Sequence, residues 1–203
     1  MSDCAVIIFA KTPLPGYVKT RLIPTLGADG AAKLAAHMLQ HAVQTAITAE
    51  IGPVEICCTP DTSNHEFDRL TQSHAVTLTL QGEGDLGMRM HRAFERVLRK
   101  APYAILMGTD APSLDAAMLQ QAAHHLNTVP VVLLPAADGG YVLIGLHEPI
   151  PQLFTDIAWS TPSVMESTRH HLRLLGTRWV ELATVHDIDE PADLVHLPKG
   201  WSQ

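Results

Sequence analysis

The chain has 203 residues, of which 46% are hydrophobic, and a formal net charge of −7. This length predicts one domain over residues 1–203, with enough apolar side chains for a sizeable core. The acidic balance argues against nucleic acid or an anionic membrane as a partner, because both require a basic face. It permits a small anionic ligand held in a locally positive cleft.

In chain order, apolar runs alternate with amphipathic patterns. The runs predict strands at 4–10, 53–59, 75–80, 103–108, 130–136, 141–146 and 178–186. The amphipathic patterns predict helices at 30–49, 64–73, 86–100, 113–126, 162–175 and 191–197. Asp29, Ser113 and Asp189 are interpreted as N-caps. This alternation predicts a three-layer α/β/α fold with a mostly parallel central sheet, in which ligands bind where the loops cluster at the carboxyl ends of strands.

Cysteine usage and hydropathy indicate the compartment. The three cysteines Cys4, Cys57 and Cys58 form no CxxC motif, so we interpret them as reduced structural thiols in a cytoplasmic protein. The first apolar run lacks a preceding basic region and is predicted to be a strand rather than a signal peptide. No apolar run approaches the roughly 20 residues of a membrane span. The three tryptophans are interpreted as core residues, with a homodimer interface as the alternative.

The densest group of cations follows the first predicted strand. Residues 11–21, KTPLPGYVKTR, contain three of the chain's 14 Lys and Arg, namely Lys11, Lys19 and Arg21. An acidic protein that concentrates cations behind its first strand is expected to bind an anion there, and phosphate suits both cation types. Pro15 and Gly16 form a turn whose backbone amides can approach that anion. No Walker motif is present, and a solvated turn with ordinary surface cations is the alternative.

One aspartate emerges directly from a buried strand. Asp110 lies in GTDAP after YAILM, beside Thr109. A buried carboxylate needs a partner, and Mg²⁺ favours one or two carboxylates together with substrate phosphates. The alternative is a helix cap, although Ser113 already fits that role. His186 or Asp187, after the last strand, could complete a metal site with Asp110.

Two other loops combine glycine with acidic residues. Asp138 precedes Gly139 and Gly140 between two apolar strands, which is a strong hairpin signal. The functional alternative is a general base whose small neighbours leave room for substrate. The segment QGEGDLG opens a helix and could cover a flat group such as a nucleotide base. Its candidate binding residues are Gln81, Gly84, Asp85, Leu86 and Gly87.

Taken in order, six segments resemble the nucleotide-diphospho-sugar transferase superfamily with the GT-A fold. They are FAKTPLPGYVKTRL, GDLGMRM, MGTDAPSL, ADGGYVLIGL, WSTPSV and DIDEPADL, and together they span nearly the whole chain. The likeness is strongest to a small bacterial branch of glycosyltransferases, some linked to arsenosugar biosynthesis. Molybdopterin and phospholactate guanylyltransferases are relatives of that branch.

The resemblance implies a role for each loop. Lys11, Lys19 and Arg21 would bind the nucleotide phosphates, and residues 81–87 would line the base pocket. Asp110 would be the aspartate that binds Mg²⁺ or Mn²⁺, with His186 or Asp187 as the C-terminal ligand. Asp138 would be the general base. The substrates would be a nucleotide-diphospho-sugar and a small acceptor.

Two other functions are compatible with the same loops. The first is nucleotidyl transfer, in which an NTP is joined to a phosphorylated small molecule. The first loop lacks the GxGTR pattern of nucleotidyltransferases, which favours sugar transfer. The second is a non-catalytic nucleotide-binding module, because GTDAP holds one aspartate instead of a full DxD and Ala137 stands where an acid is common.

Overall fold

The computed structural model describes residues 3–201 and contains one seven-stranded sheet of order β3-β2-β1-β4-β6-β5-β7. The strands are β1 (Cys4–Lys11), β2 (Val54–Thr59), β3 (Val76–Leu80), β4 (Tyr103–Met107), β5 (Val131–Pro135), β6 (Tyr141–Leu146) and β7 (Trp179–Glu181). Within that range β6 alone runs antiparallel to its neighbours, β4 and β5. The predicted mostly parallel sheet is therefore confirmed.

Helices cover both faces of the sheet. They are α1 (Ile23–Thr48), α2 (His65–Ser73), α3 (Leu86–Val97), α4 (Ala116–Leu126) and α5 (Val164–Leu174), with short 3-10 turns at Thr20–Leu22, Pro151–Leu153 and Pro191–His196. Phe67 of α2 packs into the core on one face, and Phe94 of α3 packs into the core on the other. Both side chains are fully buried, and truncating either to alanine should cost about 3–5 kcal/mol of stability.

The predicted helix starts were wrong in three places. Gly27, at φ 71°, breaks α1, and Asp29 lies in the first turn after this kink instead of at an N-cap. Asp115 caps α4 in place of Ser113, because its carboxylate accepts a hydrogen bond from the Met118 N–H. Glu190 occupies the N-cap position predicted for Asp189, which leaves the Asp189 side chain free for another role.

The last strand is shorter than its sequence pattern. It ends at Glu181, and the chain rejoins the sheet at Val185, which forms a parallel bridge to Ala136. Residues 186–190 therefore leave the sheet at the same edge as the loops after the other parallel strands. Among residues 3–201, no helix combines the length and the apolar character needed to cross a membrane.

Candidate active site

A cavity of about 690 Å³ lies at the carboxyl ends of the parallel strands. All five loops singled out by their sequence contribute to it. The predicted residues that line it are Lys11, Lys19, Arg21, Gln81, Gly84, Asp85, Leu86, Thr109, Asp110, Asp138, Gly140 and Asp187. Pro15, Gly16, Gly87, Gly139 and His186 are outside this lining. Most of the candidates, spread over the whole sequence, therefore surround one volume.

Lys19 is the most constrained side chain of the first loop. Its ammonium lies 2.6 Å from the Asp110 carboxylate and 2.9 Å from that of Asp189, and it donates a 2.6 Å hydrogen bond to the Ile188 carbonyl. The side chain is only 7% exposed, and the backbone is left-handed at φ 47°. Lys19 therefore joins the first loop to the loops that follow β4 and β7, and its charge is already matched by protein carboxylates.

The ion pair between Lys19 and Asp189 shifts the pKa values of both residues. Burial opposes the charged form of Lys19, but the Asp110 and Asp189 carboxylates outweigh it and raise the Lys19 pKa. Burial likewise opposes the charged form of Asp189, but Lys19 outweighs it and lowers the Asp189 pKa. Lys19 and Asp189 are therefore held in their charged forms.

The other two cations of the first loop are available to a ligand. Lys11, the last residue of β1, is exposed and lines the cavity. Arg21 is 63% exposed, with Glu190 at 3.4 Å as a surface partner. Exposed pairs of this kind contribute about 0–1 kcal/mol, so a phosphate can replace Glu190 at little cost.

Besides Asp85 of the glycine-rich loop, four aspartates line the cavity: Asp110, Asp138, Asp187 and Asp189. Three of them, Asp110, Asp138 and Asp187, also line an adjoining cavity of about 120 Å³. Burial, followed by repulsion from Asp138, Asp189 and Asp110, raises the pKa of Asp187 to about 6. A nearby cation would stabilise the charged form of such a carboxylate.

This shift predicts a pH effect in metal-free protein. Between about pH 4 and 6 folded Asp187 keeps its proton while the unfolded chain loses it, so stability falls as pH rises. Asp187→Asn should therefore raise the free energy of unfolding at about pH 8 by about 1–2 kcal/mol, discounted for partial exposure, and much less at about pH 4.5. Thermal unfolding in EDTA at both pH values measures this. The exposed Asp29→Asn is the control, and an equal gain at both pH values would contradict the prediction.

Asp138 occupies a tight turn between β5 and β6. Its Oδ1 accepts a 2.8 Å hydrogen bond from the Gly140 N–H, and Gly139 has φ 92°. A Cβ on Gly139 would lie 2.3 Å from the Pro162 carbonyl oxygen. The hairpin turn expected from the sequence is therefore present, and Asp138 also lines the cavity, while its role as a general base stays a prediction.

The glycine-rich loop is held in place by side-chain hydrogen bonds from the loop itself and from α3. Gln81 is buried, and its amide donates to the carbonyls of Ala10 and Cys57. Arg92 of α3 donates to the Gln81 and Glu83 carbonyls, and a Cβ on Gly82 would collide with it. Asp85 caps α3 by accepting from the Met88 N–H. The loop thus presents a fixed surface at this end of the cavity.

The donor chemistry fits a divalent cation brought by substrate phosphates. Asp110 and Asp187 supply hard carboxylate oxygens, which Mg²⁺ and Mn²⁺ prefer. Within residues 3–201, no three His, Cys, Asp or Glu side chains are arranged to hold a metal by themselves, so phosphate oxygens would have to complete the coordination. His186 stacks on His196 at 3.8 Å, and of the two predicted C-terminal ligands only Asp187 lines the cavity.

Several lining residues were missed by sequence reasoning: Tyr17, Arg89, Tyr141, Trp159, Ser160, Thr161 and Asp189. Arg89 lies one helical turn after Asp85, which was a usable signal. Trp159 to Thr161 belong to the conspicuous segment WSTPSV, to which no role was assigned. Asp189 was missed because its position two residues before Pro191 resembles a helix cap.

Comparison with known proteins assigns the family and the fold. Residues 34–161 match the family described as uncharacterized proteins conserved in bacteria (DUF2064), and the chain belongs to this family. No curated protein matches the sequence. A candidate nucleotide-diphospho-sugar transferase from Desulfovibrio desulfuricans G20 is 30% identical, with a TM-score of 0.86 over 96% of this chain and 85% of that one. The chain has the GT-A nucleotide-diphospho-sugar transferase fold.

Two more distant structures share that fold. The nucleotidyl transferase from Methanothermobacter thermautotrophicus is 15% identical, with a TM-score of 0.67 over 98% of this chain and 97% of that one. The glucosyl-3-phosphoglycerate synthase of Mycobacterium tuberculosis, in complex with Mn²⁺, UDP and phosphoglyceric acid, is 8% identical, with a TM-score of 0.58 over 95% of this chain and 73% of that one.

Proposed function

We propose that this protein is a metal-assisted glycosyltransferase that moves a sugar from a nucleotide-diphospho-sugar to a small acceptor. The observation that carries the proposal is a cavity in which the exposed cations Lys11 and Arg21 lie together with the four aspartates that follow β4, β5 and β7. Cations suit the diphosphate of the donor, and a carboxylate beside a hairpin glycine suits the activation of an acceptor hydroxyl. The likeness to the Desulfovibrio protein supports this assignment.

The contacts of each residue support the role proposed for it. Lys11 and Arg21 bind the diphosphate, while Lys19, whose ammonium is already paired with Asp110 and Asp189, positions Asp110. This revises the phosphate-binding role expected for Lys19. The glycine-rich loop receives the base, and Asp138 accepts a proton from the acceptor hydroxyl. Asp110 and Asp187 would hold Mg²⁺ or Mn²⁺, which would stabilise charge on the leaving diphosphate.

Nucleotidyl transfer to a phosphorylated acceptor is the second candidate. Arg89 also lines the cavity, so three cations are available there to a triphosphate. Against it, an anionic acceptor would have to approach the aspartates. Burial, followed by repulsion from the neighbouring aspartates, already raises the pKa of Asp187. The released product distinguishes the two reactions, since sugar transfer gives a nucleoside diphosphate and nucleotidyl transfer gives pyrophosphate.

The metal assignment is tested by Asp110→Ala. Wild-type protein should be stabilised by UDP, GDP or their sugars with Mn²⁺, by about 2.7 kcal/mol at a ligand concentration of about 100 times Kd. In Asp110→Ala the Mn²⁺-dependent part of this shift should disappear while the protein stays folded. Thermal-shift assays with and without Mn²⁺ measure it.

Asp189→Asn is the matched control for that experiment. This variant also removes a carboxylate that pairs with Lys19, but Asp189 is not a proposed metal ligand. It should therefore keep the Mn²⁺-dependent shift. An unchanged shift in Asp110→Ala would show that Asp110 does not bind the metal.

We also propose that residues 1–203 act as one nucleotide-sugar-binding domain in a reducing, cytoplasm-like compartment. The three cysteines are free and buried, and burial raises the pKa of the Cys58 thiol to about 11. Thiols of this kind are unreactive and suit a compartment that keeps them reduced.

A further inference from the structure

The segment Trp159–Pro162 forms a wall of the cavity that the roles above leave unassigned. Trp159, Ser160 and Thr161 all line the cavity. Local hydrogen bonds hold the segment in place. The Thr161 hydroxyl donates a 2.7 Å hydrogen bond to the Ala158 carbonyl and lies 2.8 Å from the Ser163 hydroxyl. Ser160 has a left-handed backbone at φ 63°. The conformation of this cavity wall is therefore defined by its own local contacts.

Trp159 packs against two elements of the site. A Cβ on Gly87 would lie 2.8 Å from the Trp159 indole nitrogen and 2.3 Å from the Phe154 carbonyl oxygen. Gly87 is therefore required for close packing of α3 against this indole. The Tyr141 ring meets Trp159 edge to face, with ring centroids 6.5 Å apart. These contacts fix the indole plane beside the cavity, which is how a binding platform is pre-organised.

The same segment touches the hairpin that carries Asp138. Pro162 lies against Gly139, and the Gly139 carbonyl accepts a 2.9 Å hydrogen bond from the Met165 N–H. The cavity wall beside Asp138 therefore combines an aromatic side chain, two hydroxyl-bearing residues and carboxylates. A neutral ring with an apolar face and hydroxyls at its edge matches this chemistry, because carboxylates accept from hydroxyls and the indole packs on C–H groups.

We propose that Trp159 is the platform on which the sugar ring of the donor stacks. This inference rests on the proposed function and specifies its donor subsite. In the order of the sheet, the glycine-rich loop after β3 is at one end, the phosphate-binding cations follow β1, and the β5–β6 hairpin lies beyond β4. A donor laid across these loops with its base at the glycine-rich loop brings its sugar to Asp138 and Trp159.

The test compares the affinity for a sugar nucleotide with the affinity for the same nucleotide without its sugar. Kd is measured by calorimetry with Mn²⁺ for UDP against UDP-glucose and UDP-N-acetylglucosamine, and for GDP against GDP-mannose. In the wild type, at least one sugar nucleotide should bind more tightly than its bare nucleotide. Trp159→Ala should remove about two- to tenfold of that difference and leave the Kd of the bare nucleotide unchanged. Trp201→Ala, which replaces a tryptophan outside the cavity lining, is the matched control.

A second measurement avoids any loss of packing in Trp159→Ala. The variant Trp179→Phe/Trp201→Phe leaves Trp159 as the sole tryptophan of the chain. Its emission should change more with the preferred sugar nucleotide than with the bare nucleotide. Equal responses, or a sugar increment that survives in Trp159→Ala, would overturn the inference while the proposed function stands. Wild-type protein that binds none of these nucleotides would overturn both.

Discussion

Asp138→Asn is expected to abolish sugar transfer while donor binding persists. The amide oxygen of asparagine can still accept the hydrogen bond that the Gly140 N–H donates at 2.8 Å, and Asn-Gly is as favourable in a hairpin as Asp-Gly. The turn should therefore survive, whereas the amide cannot take a proton from an acceptor hydroxyl. Loss of a general base lowers the rate by about 10²- to 10⁴-fold. Initial rates of nucleoside diphosphate release, beside Kd for the donor, measure the two effects separately.

Asp115→Asn is the control for the loss of one carboxylate. Asp115 caps α4 outside the cavity lining, and asparagine caps a helix equally well. This variant should keep the wild-type rate. If Asp138→Asn also kept that rate, Asp138 would be a turn residue only.

The fold was predictable because its signals are local. Runs such as CAVIIFA and YAILM are apolar on both faces, which is typical of strands covered by helices on each side. The alternation of strands and helices then fixes a parallel sheet. The antiparallel direction of β6 follows from the Asp138-Gly139 turn, whose hairpin reading was one of two alternatives left open by the sequence.

The cluster of loops at the strand ends was also predictable, but the partners within it were not. Lys19 and Asp189 are 170 positions apart, and no local pattern indicates that a cation of the first loop and an aspartate after the last strand form an ion pair. The glycines show the same limit. Gly87 and Gly139 were expected to face substrate, but they make room for Trp159 and Pro162. Sequence marks a glycine as necessary without showing which neighbour requires it.

Replacing Lys19 by methionine is expected to lower both stability and activity. Methionine keeps the length and apolar stem of the side chain but removes the ammonium that lies within 2.9 Å of both Asp110 and Asp189. The two carboxylates are about half exposed, so water can solvate part of the unpaired charge. The loss should therefore be about 1.5–3 kcal/mol rather than the larger cost of a fully buried pair. Denaturant unfolding of wild type and variant measures it.

The exposed Lys33→Met is the control for that loss, because it removes a cation from the surface of α1. A double-mutant cycle of Lys19 and Asp189 then measures the coupling energy of this ion pair apart from the effect of each single substitution on stability. Adding Asp189→Asn to Lys19→Met should recover part of the lost stability, because one unpaired carboxylate is removed. Transfer activity should not recover, because Asp110 still lacks the cation that positions it. Wild-type stability in Lys19→Met would mean that this ion pair contributes nothing to the fold, and wild-type activity would mean that Asp110 needs no positioning by Lys19.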